Sequence, residues 1–428
     1  MVVFLVTVFF ILMLAGTPIA YALGITSVLS FVKMGIPEMF MLAPQKFFAG
    51  IDMFALMAMP FFILAGDIMN RTNITNKLVN FANTLVGHIR GGLAHVNIIV
   101  SIFFAGLTGS AVSDTAALGT MLIPAMVEDG YDKDFSAAIT ASSSIIGPII
   151  PPSIIAVIYG SLMNVSIAGL FAAGIVPGIL VGLGLMIAAA VISKKRDYPK
   201  KDNKPTAKEV ATSFKEAIIP LLMPVIILGG ILTGIFTPTE AAAVAVLYAL
   251  VIGFFVYKNL ELKDIPKSLY EMVKSSGNVF IILSSAAILG WILTNEQIPQ
   301  LVGSMILNIT ENKFLVLLLI NVFLLILGMF MDMTAALIIL GPILHPLAVE
   351  LGVHPLHFGI IMIVNLNIAL MTPPLGACLF VASGISNLSI EEISKEILRL
   401  FGIEFLVLLI ITYIPHISVF LPKILGFH

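Results

Sequence analysis

Apolar runs of helix-spanning length, separated by short polar or Gly/Pro breaks, account for nearly the whole chain. The run from Phe135 to Ser193 contains no Asp, Glu, Lys or Arg. That is far longer than the ~20 apolar residues that span a bilayer core, so it must cross more than once. The pattern also repeats. Thr17-Pro18 returns as Thr237-Pro238, Gly66-Asp67-Ile68-Met69-Asn70 as Gly290-Trp291-Ile292-Leu293-Thr294, and Thr115-Ala116-Ala117-Leu118 as Thr334-Ala335-Ala336-Leu337. Pro151-Pro152 returns as Pro373-Pro374 and Asn164-Val165-Ser166-Ile167 as Asn387-Leu388-Ser389-Ile390. Subtraction gives offsets of 220, 224, 219, 222 and 223, a spacing too constant to be accidental.

In the first copy, residues 2–16, 18–34, 53–70, 135–162 (broken at Gly147-Pro148 and Pro151-Pro152) and 167–192 read as five spans. Residues 71–92, with Arg71, Lys77, His88 and Arg90 among apolar positions, read as an interfacial helix. Residues 94–127, interrupted by Gly106, Gly109, Ser110, Ser113 and Asp114, are either one kinked span or a re-entrant hairpin. Charge decides for the hairpin. Five crossings put the basic linker from Lys194 to Pro205 and the other large basic clusters in the cytoplasm, as the positive-inside rule requires. An odd number of crossings also inverts the second copy.

The expected fold is therefore an all-α polytopic membrane protein of two inverted repeats, each with five spans, a hairpin and a broken helix. The first repeat covers 1–192, with scaffold 1–70, interfacial arm 71–92 and transport unit 94–162. A cytoplasmic linker covers 193–213. The second repeat covers 214–428, with scaffold 216–293, arm 294–313 and transport unit 314–384. Both termini are expected in the periplasm.

Composition agrees with a membrane location. Of 428 residues 59% are hydrophobic and 11% charged, and the mean hydropathy is +1.10. A soluble domain carries about 25% charged residues. The net charge of −2 offers no basic surface for nucleic acid, and one cysteine, Cys378, excludes an intrachain disulfide or a Cys-based metal site. The apolar N-terminus lacks the basic opening of a secretory signal and reads as transmembrane chain. No Gly-x-x-x-x-Gly-Lys-Ser/Thr motif is present, so ATP is not the direct driver on this chain.

The chemistry should sit at the four interruptions: hairpin tips 106–115 and 328–334, and breaks 142–152 and 365–374. Irregular backbone at membrane depth survives only inside protein or beside a watery cavity. Pro-Pro frees nearby carbonyls, which with hydroxyls and a carboxylate make an oxygen cage for a small hard cation. The half-helix N-termini near Thr115, Ser153, Thr334 and Leu375 offer unpaired N–H groups to a carboxylate substrate. The candidate substrate residues are Thr115, Ser144, Pro151, Pro152, Thr334, Asn365, Pro373 and Pro374. Asp114 and Asp332 stand in otherwise uncharged stretches and need a cation, a proton or a helix to cap. Glu240 reads as a first-turn acid, Asp67 and Glu404 as span-end residues, and Trp291 as an interface anchor. His345, His354 and His357 lack metal spacing, and the 21 methionines read as packing.

Gly109-Ser110-Ala111-Val112-Ser113-Asp114-Thr115-Ala116-Ala117-Leu118, Pro148-Ile149-Ile150-Pro151-Pro152-Ser153, and Pro60-Phe61-Phe62-Ile63-Leu64-Ala65-Gly66 followed by Val86-Gly87-His88-Ile89-Arg90-Gly91-Gly92 resemble the large membrane subunit of tripartite ATP-independent periplasmic (TRAP) transporters, over essentially the whole chain. The resemblance implies a sodium-driven elevator in a bacterial inner membrane. It also implies a small four-helix membrane subunit (Q type), a periplasmic substrate-binding protein (P type) and an organic-acid substrate of the sialic acid or C4-dicarboxylate class. The whole chain looks most like the sialic acid members. One Na⁺ site is expected from Gly109, Ser110, Ser113 and Asp114 with carbonyls near Gly147 and Ile150. Its mate is expected from Gly328 and Asp332 with Ala369 and Thr372. The hairpins also resemble divalent-anion/sodium symporters, although Asp114 stands where that family has Asn. A channel and an intramembrane aspartyl protease are the competing classes. The matched helix starts after Asp114 and Asp332 fit a site related by symmetry better than a shared-proton dyad.

Overall fold

The computed structural model describes residues 1–35, 40–72, 74–201, 204–310 and 312–427, which hold twenty α-helices and no strand. Residues 36–39 of the first scaffold segment, Asn73 and Glu311 of the expected arms, Asp202 and Asn203 of the linker, and His428 lie outside the described residues. The first apolar run divides at Thr17-Pro18 into α1 (Val2–Leu14) and α2 (Ile19–Met34). Proline is tolerated there because a helix start leaves its N–H groups unpaired anyway. α3 (Leu42–Ala49) leads to α4 (Ala58–Arg71). In α5 (Ile74–Val86) the buried Ile74, Leu78, Phe81 and Ala82 recur at helical spacing, so only one face packs inward.

α6 (Gly92–Thr108) and α7 (Ala111–Glu128) run antiparallel. At their base Leu93 N–H donates to Tyr131 Oη at 3.2 Å, and Asn97 Nδ2 lies 3.9 Å from Met126 Sδ. At their tip Thr108 donates to Asp114. Residues 94–127 are thus a hairpin and not one kinked span. α8 (Lys133–Ser144) and α9 (Ile154–Met163) are the halves of a broken helix, followed by α10 (Ile167–Lys195).

The chain continues through α11 (Ala207–Leu232), α12 (Pro238–Val251), α13 (Ile265–Asn295) and α14 (Ile298–Ile309). α15 (Lys313–Gly328) and α16 (Met333–Glu350) close at their base where Lys313 Nζ donates to Gly352 O at 2.7 Å, making a second hairpin. α17 (Pro355–Leu370) and α18 (Ala377–Ser386) are again separated by a Pro-Pro break. α19 (Ile390–Tyr413) and α20 (His416–Ile424) complete the chain. Ser/Thr-x-x-Glu capping boxes start α11, α12 and α19, with Glu240 as the first-turn acid of α12.

Among the described residues six helices are long and apolar enough to cross a bilayer alone, or seven if α19 and α20, bent by 55°, count as one span. α1, α2, α6, α15 and α17 are shorter apolar helices. The periphery is correspondingly apolar: Val225, Leu247, Phe255 and Val273 are all more than 60% exposed. In water such a surface would aggregate, so this is a multi-pass membrane protein.

Two groups of helices emerge from the packing. α4 packs on α12 and α13, α2 on α13, and α11 on α5 and α12. The hairpins and broken helices form the other group, and they cross over: α18 packs on α7 and α8, while α16 packs on α9 and α17. α8 is buried from Phe135 to Ser144 and α17 from Leu356 to Leu370, which makes these two the central helices of that group. α10 reaches the break by means of glycine. A Cβ on Gly174 would collide with Ile149 O, one on Gly178 with the Ile150 side chain, and one on Gly182 would fall 2.8 Å from Ile102 Cδ1. Residues spaced by four share one helix face, so this stripe lets two backbones approach.

The linker does not leave α10 freely. Arg196 bridges Asp132 (2.7 Å) and Glu396 (2.6 Å), Asp197 pairs with Arg90, and Pro199 O accepts from Gly91 N–H at 3.0 Å. The Tyr198 hydroxyl, donating at 2.8 Å, and then the Arg196 guanidinium hold the Asp132 carboxyl below the usual aspartate range. The first linker residues therefore tie together the bases of α6, α8 and α19.

Candidate functional site

Local sequence sets the first hairpin tip. Gly109 ends α6 at φ 61°, a left-handed conformation that costs glycine least. Ser110 then caps α7, its hydroxyl accepting from Ser113 N–H at 3.4 Å. This places Asp114 on the first turn facing inward. Its side chain is 0% exposed; Oδ1 accepts from the Thr108 hydroxyl, and Oδ2 has no donor among the described residues. Gly147 faces that carboxylate, and a Cβ there would collide with Oδ2. A Cβ on Gly109 would lie 3.0 Å from Pro152 O. The hairpin tip and the first Pro-Pro break thus meet, with Gly109, Asp114, Gly147 and Pro152 at the junction.

The broken helix is fixed by polar contacts to the hairpin. Asn97 Nδ2 donates to Thr140 Oγ1 at 2.6 Å, Ser101 donates to Ser143 Oγ at 3.0 Å, and Ser143 donates to Asn97 Oδ1 at 3.0 Å. Ser144 spends its hydroxyl proton on Thr140 O at 2.7 Å. Ser153 caps α9 and donates to Pro148 O, satisfying a carbonyl that the prolines leave free. The Pro151–Pro152 and Pro373–Pro374 bonds are both cis. Thr115 is buried and donates to Ala111 O at 2.9 Å.

The second hairpin meets its break in the same way but with different chemistry. A Cβ on Gly328 would lie 2.6 Å from that of Ala369. Thr372, buried, donates to Ile368 O at 2.7 Å. Asp332, however, is exposed and caps α16, accepting from Thr334 N–H at 2.9 Å and Ala335 N–H at 3.3 Å. The two aspartates are not equivalent. One is sealed and half-satisfied, and the other is a solvated helix cap. Asn365 donates to Asn321 O and Oδ1 at 2.9 and 2.8 Å, which fixes α17 to α15. Pro373 is partly buried and Pro374 exposed.

Beside the first tip lies a cavity of about 500 Å³. Gly109, Ser110, Ser113 and Thr334 line one wall, and Asp67, Arg71 and Glu271 the other. Thr115, Ser144, Pro151, Pro152 and Asn365 are buried outside that lining. Asp67 and Arg71 pair at 2.7 Å across one helical turn. The sequence pattern reads Asp67 as a span-end residue, yet its spacing of four from Arg71 is the signal of this ion pair. Thr108, the partner of Asp114, carries no such signal.

The profile of the family described as "Tripartite ATP-independent periplasmic transporter, DctM component" matches residues 6–417. The chain is 42% identical over 417 residues to the sialic acid TRAP transporter large permease protein SiaM of Vibrio cholerae, covering 97% of each chain. It is 40% identical over 381 residues to the C4-dicarboxylate large permease protein DctM of Pseudomonas aeruginosa, covering 89% of each. It is also 44% identical over 412 residues to the isethionate permease protein DctMQ of Oleidesulfovibrio alaskensis, covering 96% of this chain and 65% of that one. Among solved structures it shares its fold with Neisseria gonorrhoeae MtrF (TM-score 0.58, 9% identity, 88% of this chain and 84% of that one). The Alcanivorax borkumensis YdaH transporter is similar too (TM-score 0.58, 13% identity, 89% of each).

Proposed function

The chain belongs to the family of the DctM component of tripartite ATP-independent periplasmic transporters, and from that premise we propose that it imports a small organic acid by sodium symport and an elevator motion. It is a transport permease and not an enzyme, as its named relatives are. In our reading a periplasmic binding protein delivers a substrate of the sialic acid or C4-dicarboxylate class. A small four-helix subunit packs on the apolar scaffold in the bacterial inner membrane.

The observation that carries this reading is the junction of Asp114 with Gly147. A buried carboxylate oxygen without a donor is costly unless a proton or cation shares it. Hydroxyls of Ser110 and Ser113 and the carbonyls of the 145–152 segment supply the remaining hard oxygen atoms, a donor set that suits Na⁺. The second cation place, at Gly328, Ala369 and Thr372, has less charge because Asp332 faces solvent. The adjoining cavity, with helix starts bearing Ser113 and Thr334, suits the substrate carboxylate. Hairpins and breaks recurring in both halves support an inverted repeat with both termini in the periplasm. Packing of those elements into one group supports their moving as a body past α4 and α11–α13.

Uptake by proteoliposomes containing all three subunits tests this. Transport of labelled substrate should require an inward sodium gradient, and Ser113→Ala and Thr372→Ala should each raise the sodium concentration for half-maximal uptake. Sodium-independent uptake, or unchanged sodium dependence in both variants, would reject the assignment.

A further inference from the structure

The sequence pattern puts Glu404 at a span end, but α19 runs on to Tyr413 and leaves it mid-helix. Its side chain is 0% exposed, and neither Oε1 nor Oε2 has a hydrogen-bond partner among the described residues. The other buried glutamate among them, Glu396, is paired with Arg196 and Arg399. Two turns further along the same helix no such partner exists for Glu404.

The elements packed on α19 include α8, α10, α17 and α18, and α15 reaches its last turn, where Asn321 donates to Thr412 Oγ1 at 3.0 Å and Tyr413 donates to Phe314 O at 3.0 Å. The one ionisable group of α15, Lys313, lies at that end and donates to Gly352 O. The ionisable groups of α8 are Lys133 and Asp134, in its first turn, and those of α10 are Lys194 and Lys195, in its last. All four lie at the base with Glu396. α17 brings His354 and His357, and the latter reaches Thr412 O at 3.1 Å, eight residues beyond Glu404. α18 brings Cys378, a buried thiol that carries no positive charge. No cation faces Glu404 from these elements. A hard metal ion takes about six oxygen atoms, whereas among the described residues no group of three or more His, Cys, Asp or Glu side chains could hold one, and neither Glu404 oxygen has a hydrogen-bond partner. A proton needs no such shell.

We propose that Glu404 is a proton-binding site, a carboxyl group held as the neutral acid in the membrane-buried middle of α19 and separate from the Asp114 junction. Neutrality lets the group sit among apolar side chains at membrane depth without a counter-ion.

Infrared spectroscopy of the purified full-length chain at neutral pH tests the site. Carboxyl-¹³C glutamate labelling should shift a protonated-carboxyl band, and Glu404→Gln should remove it, with the band persisting in sodium-containing and sodium-free buffer alike. A wild-type spectrum without that glutamate band, or a band abolished by sodium at constant pH, would overturn the proposal in favour of an ionised, cation-binding Glu404. Should Glu404→Gln fail to fold, the labelled wild type still decides, because ion-paired Glu396 contributes no protonated band.

Discussion

At Gly147 one hydrogen atom decides whether Asp114 can occupy its place. A Cβ there collides with Asp114 Oδ2, so Gly147→Ala must displace either the carboxylate or the break. We expect it to raise the sodium requirement of uptake by about tenfold, equivalent to about 1.4 kcal/mol. Gly384→Ala, where nothing lies within 4 Å, should leave that requirement unchanged. Equal behaviour of the two variants would remove Gly147 from the site. Asp114 was legible in the sequence because a lone acid in an apolar run needs a reason. Thr108 was not legible, because a threonine near a hairpin tip is ordinary until the turn at Gly109 brings it back onto Asp114. Asp332 shows the limit of repeat logic. Thr-Ala-Ala-Leu follows both, but Asp332 stands two residues before it, where the first copy has Ser113; it sits one position before its helix and becomes a cap, whereas Asp114 sits inside α7 and turns inward.

At the scale of elements, α10 and the first break depend on a shared glycine face. Gly174→Ala would push a methyl group onto Ile149 O, and Gly178→Ala one onto the Ile150 side chain. Overpacking of this kind costs about 1–3 kcal/mol, so both variants should melt earlier in detergent, while Gly402→Ala in α19, with open space around it, should not. If Gly174→Ala melts with the wild type, the close approach is not needed for stability. The breaks themselves were readable from Pro-Pro and Gly-Pro, and so was the choice of hairpin over kinked span, because charge placement depends on crossing parity. The partners of each element were not readable. Packing of α18 on α7 and of α16 on α9 joins segments from opposite halves of the chain, and local pattern carries no information about such distant contacts.

For the whole molecule, the salt-bridged base is the feature that composition hides, since a basic linker reads as simply solvated. Arg196 holds Asp132 with one nitrogen and Glu396 with the other, and a lysine cannot reproduce that fork. Arg196→Ala should cost roughly 2–4 kcal/mol, because it strips one of two partners from a nearly buried carboxylate, and Arg196→Lys should rescue little of it. The Asp132 contribution also has a defined pH window. Its folded value is depressed, so the stabilisation is complete above the ordinary aspartate value of about 3.9 and is lost as pH falls through the lowered one. Melting curves of wild type and Asp132→Asn should therefore differ at neutral pH and converge in acid; a constant gap would refute the linkage. If the two helix groups slide as proposed, the same anchoring limits how far they can travel apart. Pro199 is bound to the base of α6, and Thr206 begins α11. The seven residue steps between them reach at most roughly 25 Å when fully drawn out. On the proposed elevator reading that covalent length bounds the stroke, and removing four residues from it should stall uptake while leaving the expected sodium binding intact.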